Sequence, residues 1–189
     1  MRSSFLRWGF AALLLLSSAG LARAQANLYE LNVHAGSFTY DLGFGDNDNS
    51  DDDVLLGGRF LLTPNGTWGF GGNFDWVNVD RIPTIGGDDI GVDMYLYSGE
   101  LNYTLPIRGQ TKFFLAGGLG GRTLKVEDES ETRLTTPLGG GLKWLSDPAV
   151  PSWGIRGDIR DHIVHGDESE GEDNIQNNWE FSGGVSFFF

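Results

Sequence analysis

From residue 29 onward, apolar side chains alternate with polar residues or glycine through eight segments: Tyr29–Tyr40, Val54–Leu62, Trp68–Val79, Asp93–Leu105, Phe113–Val126, Thr132–Leu145, Trp153–Ile163 and Asn178–Phe189. Alternation at period two sends successive side chains to opposite faces of a strand, so each segment predicts a β-strand with one apolar face. In the third, Trp68, Phe70, Gly72, Phe74 and Trp76 oppose Gly69, Gly71, Asn73 and Asp75. In the seventh, Trp153, Ile155, Gly157 and Ile159 oppose Gly154, Arg156, Asp158 and Arg160. In the eighth, Trp179, Phe181, Val185, Phe187 and Phe189 oppose Glu180, Ser182, Gly184 and Ser186.

A water-soluble sandwich or barrel alternates too, with its apolar face turned inward. Two patterns favour the inverted arrangement. Trp68, Trp76, Trp144, Trp153 and Trp179 all fall on the apolar face and near segment ends, where the aromatic girdles of a membrane barrel belong. The breaks also alternate in length. Those at 63–67, 106–111 and 146–152 are short, and those at 41–53, 80–92 and 164–177 are long; 127–131 is a short exception on the long side. The reading is all-β: an eight-stranded antiparallel transmembrane β-barrel with short periplasmic turns and acidic extracellular loops.

The residues before the first strand have a different character. Arg2 and Arg7 precede an apolar run at Phe10–Leu16, and Ala22-Arg23-Ala24 offers a cleavage site, with Ala24-Gln25-Ala26 as an alternative. The run is shorter than the ~20 residues a spanning helix needs, so residues 1–24 read as a signal peptide. The barrel domain is then 27–189, exported to the cell outer membrane.

Composition narrows the function classes. Thirteen Lys and Arg against 26 Asp and Glu give a net charge of −13, which opposes nucleic-acid binding. There is no cysteine, which excludes disulfides and thiolate metal sites; no cofactor is expected. The expected partners are outer-membrane lipids and the barrel assembly machinery, with the protein a monomer.

Parity places one set of charges inside: Glu30, Asp75, Glu100, Asp158 and Glu180 facing Arg59, Arg122, Arg133, Lys143, Arg156 and Arg160, with His34 and His162 also inward. An eight-stranded barrel is narrow enough for side chains to fill, so these form an expected lumen ion-pair network. Pairing Trp144 with Trp153 would set Gly141 opposite Arg156 and Gly139 opposite Asp158; pairing Phe60 with Phe70 would set Arg59 opposite Gly71. The long-side loops hold most of the acids and one base, Arg81. Within them, Asp46, Asp48, Ser50 and Asp52 have the alternating oxygens of a calcium loop, without its glycine at the sixth position or its glutamate at the twelfth.

The chain ends on Ser182-Gly183-Gly184-Val185-Ser186-Phe187-Phe188-Phe189. This resembles the terminal signal by which outer-membrane proteins are recognised for assembly, with Ser182, Gly184, Phe187 and Phe189 as its residues. On these features the chain resembles small outer-membrane barrels, the OmpA-like and OmpW-like group. Gly139-Gly140-Gly141-Leu142-Lys143 and Gly157-Asp158-Ile159-Arg160-Asp161-His162 are similar to stretches in barrels of myxobacteria and their relatives. The resemblance implies a non-enzymatic barrel with a structural or surface-interaction role. Two alternatives stand beside it. One is an OmpW-like conduit for small apolar solutes, which needs an apolar lumen. The other is a lipid A-modifying enzyme, which needs a serine, a histidine and an acid on the outer face near the extracellular rim, where His162 and His165 lie with Glu168, Ser169 and Glu170 following.

Overall fold

The computed structural model describes residues 29–40, 51–64, 66–83, 89–105, 107–126, 129–166 and 175–189. Eight strands run in chain order: β1 (Tyr29–Tyr40), β2 (Asp51–Leu62), β3 (Trp68–Pro83), β4 (Asp89–Thr104), β5 (Thr111–Val126), β6 (Glu129–Leu145), β7 (Trp153–Val164) and β8 (Gln176–Phe188). Each pairs with the next, and β8 returns to β1 to close the barrel. Every ladder is antiparallel. Closure removes the sheet edges that would otherwise leave backbone donors and acceptors unpaired in lipid.

The strand ends match the periodicity to within three residues except in the β3–β4 hairpin, where each strand runs four residues into a predicted loop. β3 and β4 continue past an irregularity at Val79 to pair Ile82 with Ile90, and β5 and β6 pair as far as Val126 with Glu129. Strand pairing there continues through polar residues that carry no apolar alternation. Glu129 and Glu131, read as loop residues, stand on a strand.

At the other end the connections are tight. Gly66 and Gly109, with φ of 68° and 112°, each turn a connection through the left-handed region that a side chain disfavours. In the third turn the Asp147 carboxylate accepts from the amides of Ala149 (2.7 Å) and Val150 (3.1 Å).

The outward face is apolar around the whole circumference, from Val33 and Phe60 through Phe74, Leu101 and Leu119 to Leu142, Ile159 and Phe181, all of them exposed. Aromatic pairs gather at the short-turn end: Trp68 with Tyr103, Trp144 with Trp153, and Tyr29 with Phe60, at ring-centroid distances of 4.7, 5.6 and 5.9 Å. Toward the opposite end, the Trp76 indole N–H donates to Asp93 at 3.0 Å, combining an apolar body with a polar handle.

Inside, the barrel divides in two. Its extracellular half holds an apolar cluster of Phe38, Tyr40, Leu55, Val77, Val92, Met94 and Leu96, against which Leu124 and Val126 pack. Its periplasmic half holds charges. The expected ion-pair network therefore shares the lumen with an apolar cluster. Parity marks which residues point inward, but these apolar ones break the polar pattern of the inner face at the strand ends.

Candidate functional site: the barrel lumen

Arg156, Asp158 and Arg160 alternate along β7, so all three point inward. The middle one becomes a hub. Asp158 accepts from Arg156 Nε at 2.8 Å, Arg156 Nη2 at 2.9 Å, Arg160 Nη2 at 3.0 Å and, across the lumen, Arg59 Nη1 at 3.1 Å. Glu100 from β4 pairs with Arg160 and lies 3.3 Å from Arg59 Nε. That second contact is an ion pair without hydrogen-bond alignment. Glu180 accepts from His162 Nε2 at 2.9 Å and from Ser182 at 2.5 Å.

Nearer the periplasm, Glu30 accepts from Lys143 at 2.5 Å, Ser186 at 2.9 Å and Arg156 Nη1 at 3.3 Å. Arg156 Nη2 also donates to Asn102 at 3.3 Å. The Phe114 ring lies beneath both cations, 3.9 Å from the Arg156 guanidinium carbon and 5.2 Å from Lys143 Nζ. A second cluster joins His34 Nε2 to Asp75 at 2.7 Å and His34 Nδ1 to the Asn32 side-chain oxygen at 2.9 Å. Asn73 also donates to Asp75.

All of these ionised groups are buried. Taking charge from water costs several kcal/mol per ion, and the cost is offset only where partners and hydrogen bonds are well placed. Here each carboxylate has at least two donors. The arrangement binds strands from every quarter of the wall through side chains as well as backbone.

Glycines make room for it. A Cβ on Gly57 would stand 1.9 Å from Asp75 Oδ1 and 2.5 Å from His34 Nε2. The expected registers are off by two residues: Trp144 pairs with Ile155, and Phe60 with Gly72. Arg160 therefore faces Gly139, Asp158 faces Gly141, Arg156 faces Lys143, and Arg59 faces Asn73. A slip of two leaves every residue on its predicted face, and the two indoles still touch diagonally.

Two expected members lie apart from the network. Arg122 is buried and donates to Gln176 at 3.3 Å, while Arg133, its register partner, bonds Glu131 at the rim. Parity places both inward but says nothing of depth, and they sit above the charged layer. Asn32, Asn73, Asn102, Ser186 and Phe114 complete the network without having been singled out, and Ser182, read only as part of the terminal signal, joins them. Their inward parity was the available signal.

Of the terminal residues, Ser182 and Gly184 face the lumen, Gly184 pairing with both His34 and Arg156. Phe187 faces outward, and Phe189 exchanges backbone hydrogen bonds with Tyr29 at 3.1 and 3.2 Å. Asp46, Asp48 and Ser50 lie outside the described residues; the Asp52 backbone pairs with Thr39. On the outer rim, Thr136 Oγ1 lies 3.0 Å from His165 Nε2. This hydroxyl–imidazole pair was not anticipated, and among the described residues no carboxylate forms an ion pair with His165.

The sequence model of a family described as outer membrane protein beta-barrel domain matches residues 9–189. No curated protein matches the sequence. Among solved structures the chain is similar to Neisserial surface protein A, with a TM-score of 0.65 and 13% identity over 85% of this chain and 97% of that one. It is similar to Ail of Yersinia pestis in complex with the heparin analogue sucrose octasulfate, with a TM-score of 0.54 and 16% identity over 84% and 97% of the two chains. It is also similar to the N-terminal β-barrel domain of Pseudomonas aeruginosa OprF, with a TM-score of 0.53 and 14% identity over 87% and 98%. At such identities the likeness is one of fold.

Proposed function

Because the chain belongs to the outer membrane protein β-barrel domain family, we propose that it is a non-enzymatic barrel whose lumen is plugged by its own side chains. Its role is structural or one of cell-surface interaction through the extracellular end. The single observation that carries this reading is the Asp158 hub, with Arg59, Arg156 and Arg160 converging on one carboxylate across the lumen. An apolar cluster fills the extracellular half above it. Eight strands enclose an interior that side chains can fill, and a water-filled channel has no use for an apolar cap.

The chain reaches the outer membrane by export, with the leader removed after residue 24 or 26, and the assembly machinery reads its last strand. It works as a monomer in contact with outer-membrane lipids. The test is conductance in planar bilayers. Purified protein is expected to give little or no steady current, and a large stable current would make it a small porin.

The apolar cluster lends some support to the conduit reading. Against it, any solute descending past Phe38 and Met94 meets the buried charged layer. The enzymatic reading gains Thr136 and His165, but among the described residues no carboxylate is paired with that imidazole to orient it. Incubation with lipid A is expected to release no acyl chains.

A further inference from the structure

The periplasmic mouth of the barrel contains a cavity of about 290 Å³. Its lining includes Lys112, Lys143 and Glu30, with Thr104, Leu145 and Phe188. At ~30 Å³ per water, it has room for roughly ten non-hydrogen atoms. Barrel mouths with a partly apolar wall and a few convergent polar groups are frequent ligand sites.

The charges give this one a sign. Lys112 and Lys143 are direct register partners across β5 and β6, and like charges placed opposite one another repel. Lys143 is neutralised by Glu30. Lys112 donates to the Ile107 carbonyl, and among the described residues no carboxylate forms an ion pair with it. An ammonium has three donors, so that one bond leaves capacity for an acceptor. The acid of the neighbouring turn, Asp147, accepts from the amides of Ala149 and Val150, and it forms no ion pair with Lys112. Arg108 adds a second cation beside Lys112, on an adjoining opening. In a chain of net charge −13, this mouth carries uncompensated positive charge against an apolar wall.

We propose that the periplasmic vestibule binds a small carboxylate with an apolar body. The carboxylate is held by Lys112, and the body packs on Leu145 and Phe188. This site shares Lys143 and Glu30 with the periplasmic edge of the plug, but it does not depend on the lumen being closed.

The test uses the full mature chain in phospholipid nanodiscs with isotopically labelled lysine, following the side-chain signals of Lys112, Lys143 and, at the opposite end, Lys125. Hexanoate, 1-hexanol and inorganic phosphate are titrated separately. Hexanoate is expected to shift Lys112 and Lys143 saturably and at least about tenfold more tightly than the other two, a difference of about 1.4 kcal/mol, while Lys125 stays in place. The Lys112→Gln variant, which keeps most of the side-chain stem, is expected to retain its heat-modifiable barrel and lose the response, and Lys112→Arg to restore it. Equal binding of hexanol or of phosphate, a response that survives Lys112→Gln, or no saturable shift would each overturn the proposal.

Discussion

The guanidinium of Arg156 lies 3.9 Å from the centroid of the Phe114 ring. The same side chain reaches Glu30, Asn102 and Asp158. One residue thus joins the Glu30–Lys143 pair to the Asp158 hub. Arg156→Ala would take one partner from each of two buried carboxylates, Glu30 and Asp158, and breaking a buried pair of this kind costs about 3–5 kcal/mol. The expected outcome is a lower urea midpoint for the heat-modifiable barrel and a rise in planar-bilayer conductance. Asp167→Ala, in the last acidic loop, is the control and is expected to change neither.

Gly57 and Gly58 are neighbours facing opposite ways, and their substitutions should diverge. A Cβ on Gly57 would meet Asp75 Oδ1 at 1.9 Å, whereas one on Gly58 meets nothing nearer than the Asn32 carbonyl at 3.8 Å. Gly57→Ala is expected to destabilise by about 1–3 kcal/mol, as overpacking does. Gly58→Ala is expected to be neutral or to gain up to about 1 kcal/mol from lost backbone freedom in the unfolded chain. Equilibrium unfolding in urea distinguishes them.

Deleting Phe189 should reduce assembly more than stability. Its backbone forms the last two hydrogen bonds of the closing seam with Tyr29, at a periphery already held by ten further β1–β8 register pairs up to Phe188. Less heat-modifiable barrel is expected in membranes, with refolding of purified protein in detergent preserved. Normal membrane levels would remove the basis for an assembly role.

The Asp147 carboxyl is held below its ordinary value of 3.8 by the amide hydrogen bonds of Ala149 and, next, Val150. A depressed folded value means that the contribution to turn order is present above the unfolded pKa and is lost as pH falls through the folded one. The Ala149 and Val150 amide resonances should therefore titrate together, with a midpoint below 3.8. Asp147→Asn should abolish that titration.

The strand count, the faces and the inward charges were legible because membrane and lumen impose opposite chemistry on alternate residues. Arg59, Arg156, Asp158 and Arg160 stand where parity put them. Depth was not legible, because period two contains no axial coordinate: Arg122 and Arg133 share the inward parity of Arg156 but sit above its layer. Register was not legible either. A slip of two keeps every face, so pairing Trp144 with Trp153 satisfied the pattern as well as the observed Ile155 does. The apolar cluster around Phe38 and Met94 was hidden because these inward apolar residues alternate with polar outward neighbours such as Ser37, Thr39 and Asp93, which reverses the polarity of the two faces there.

The closing seam also has a kinetic consequence. Ser186 donates to Glu30, 156 residues away along the chain, and Phe189 bonds Tyr29 beyond it. Contacts this distant in sequence are slow to find, because the entropy of the intervening loop must be lost first. Glu30 cannot gain its Ser186 donor until the final strand has arrived. Until then it has only β6 and β7 to supply partners, and β1 remains an open edge. Barrel formation should therefore show a single late step in which the seam closes and Glu30 becomes fully bonded, its rate insensitive to changes in the extracellular loops.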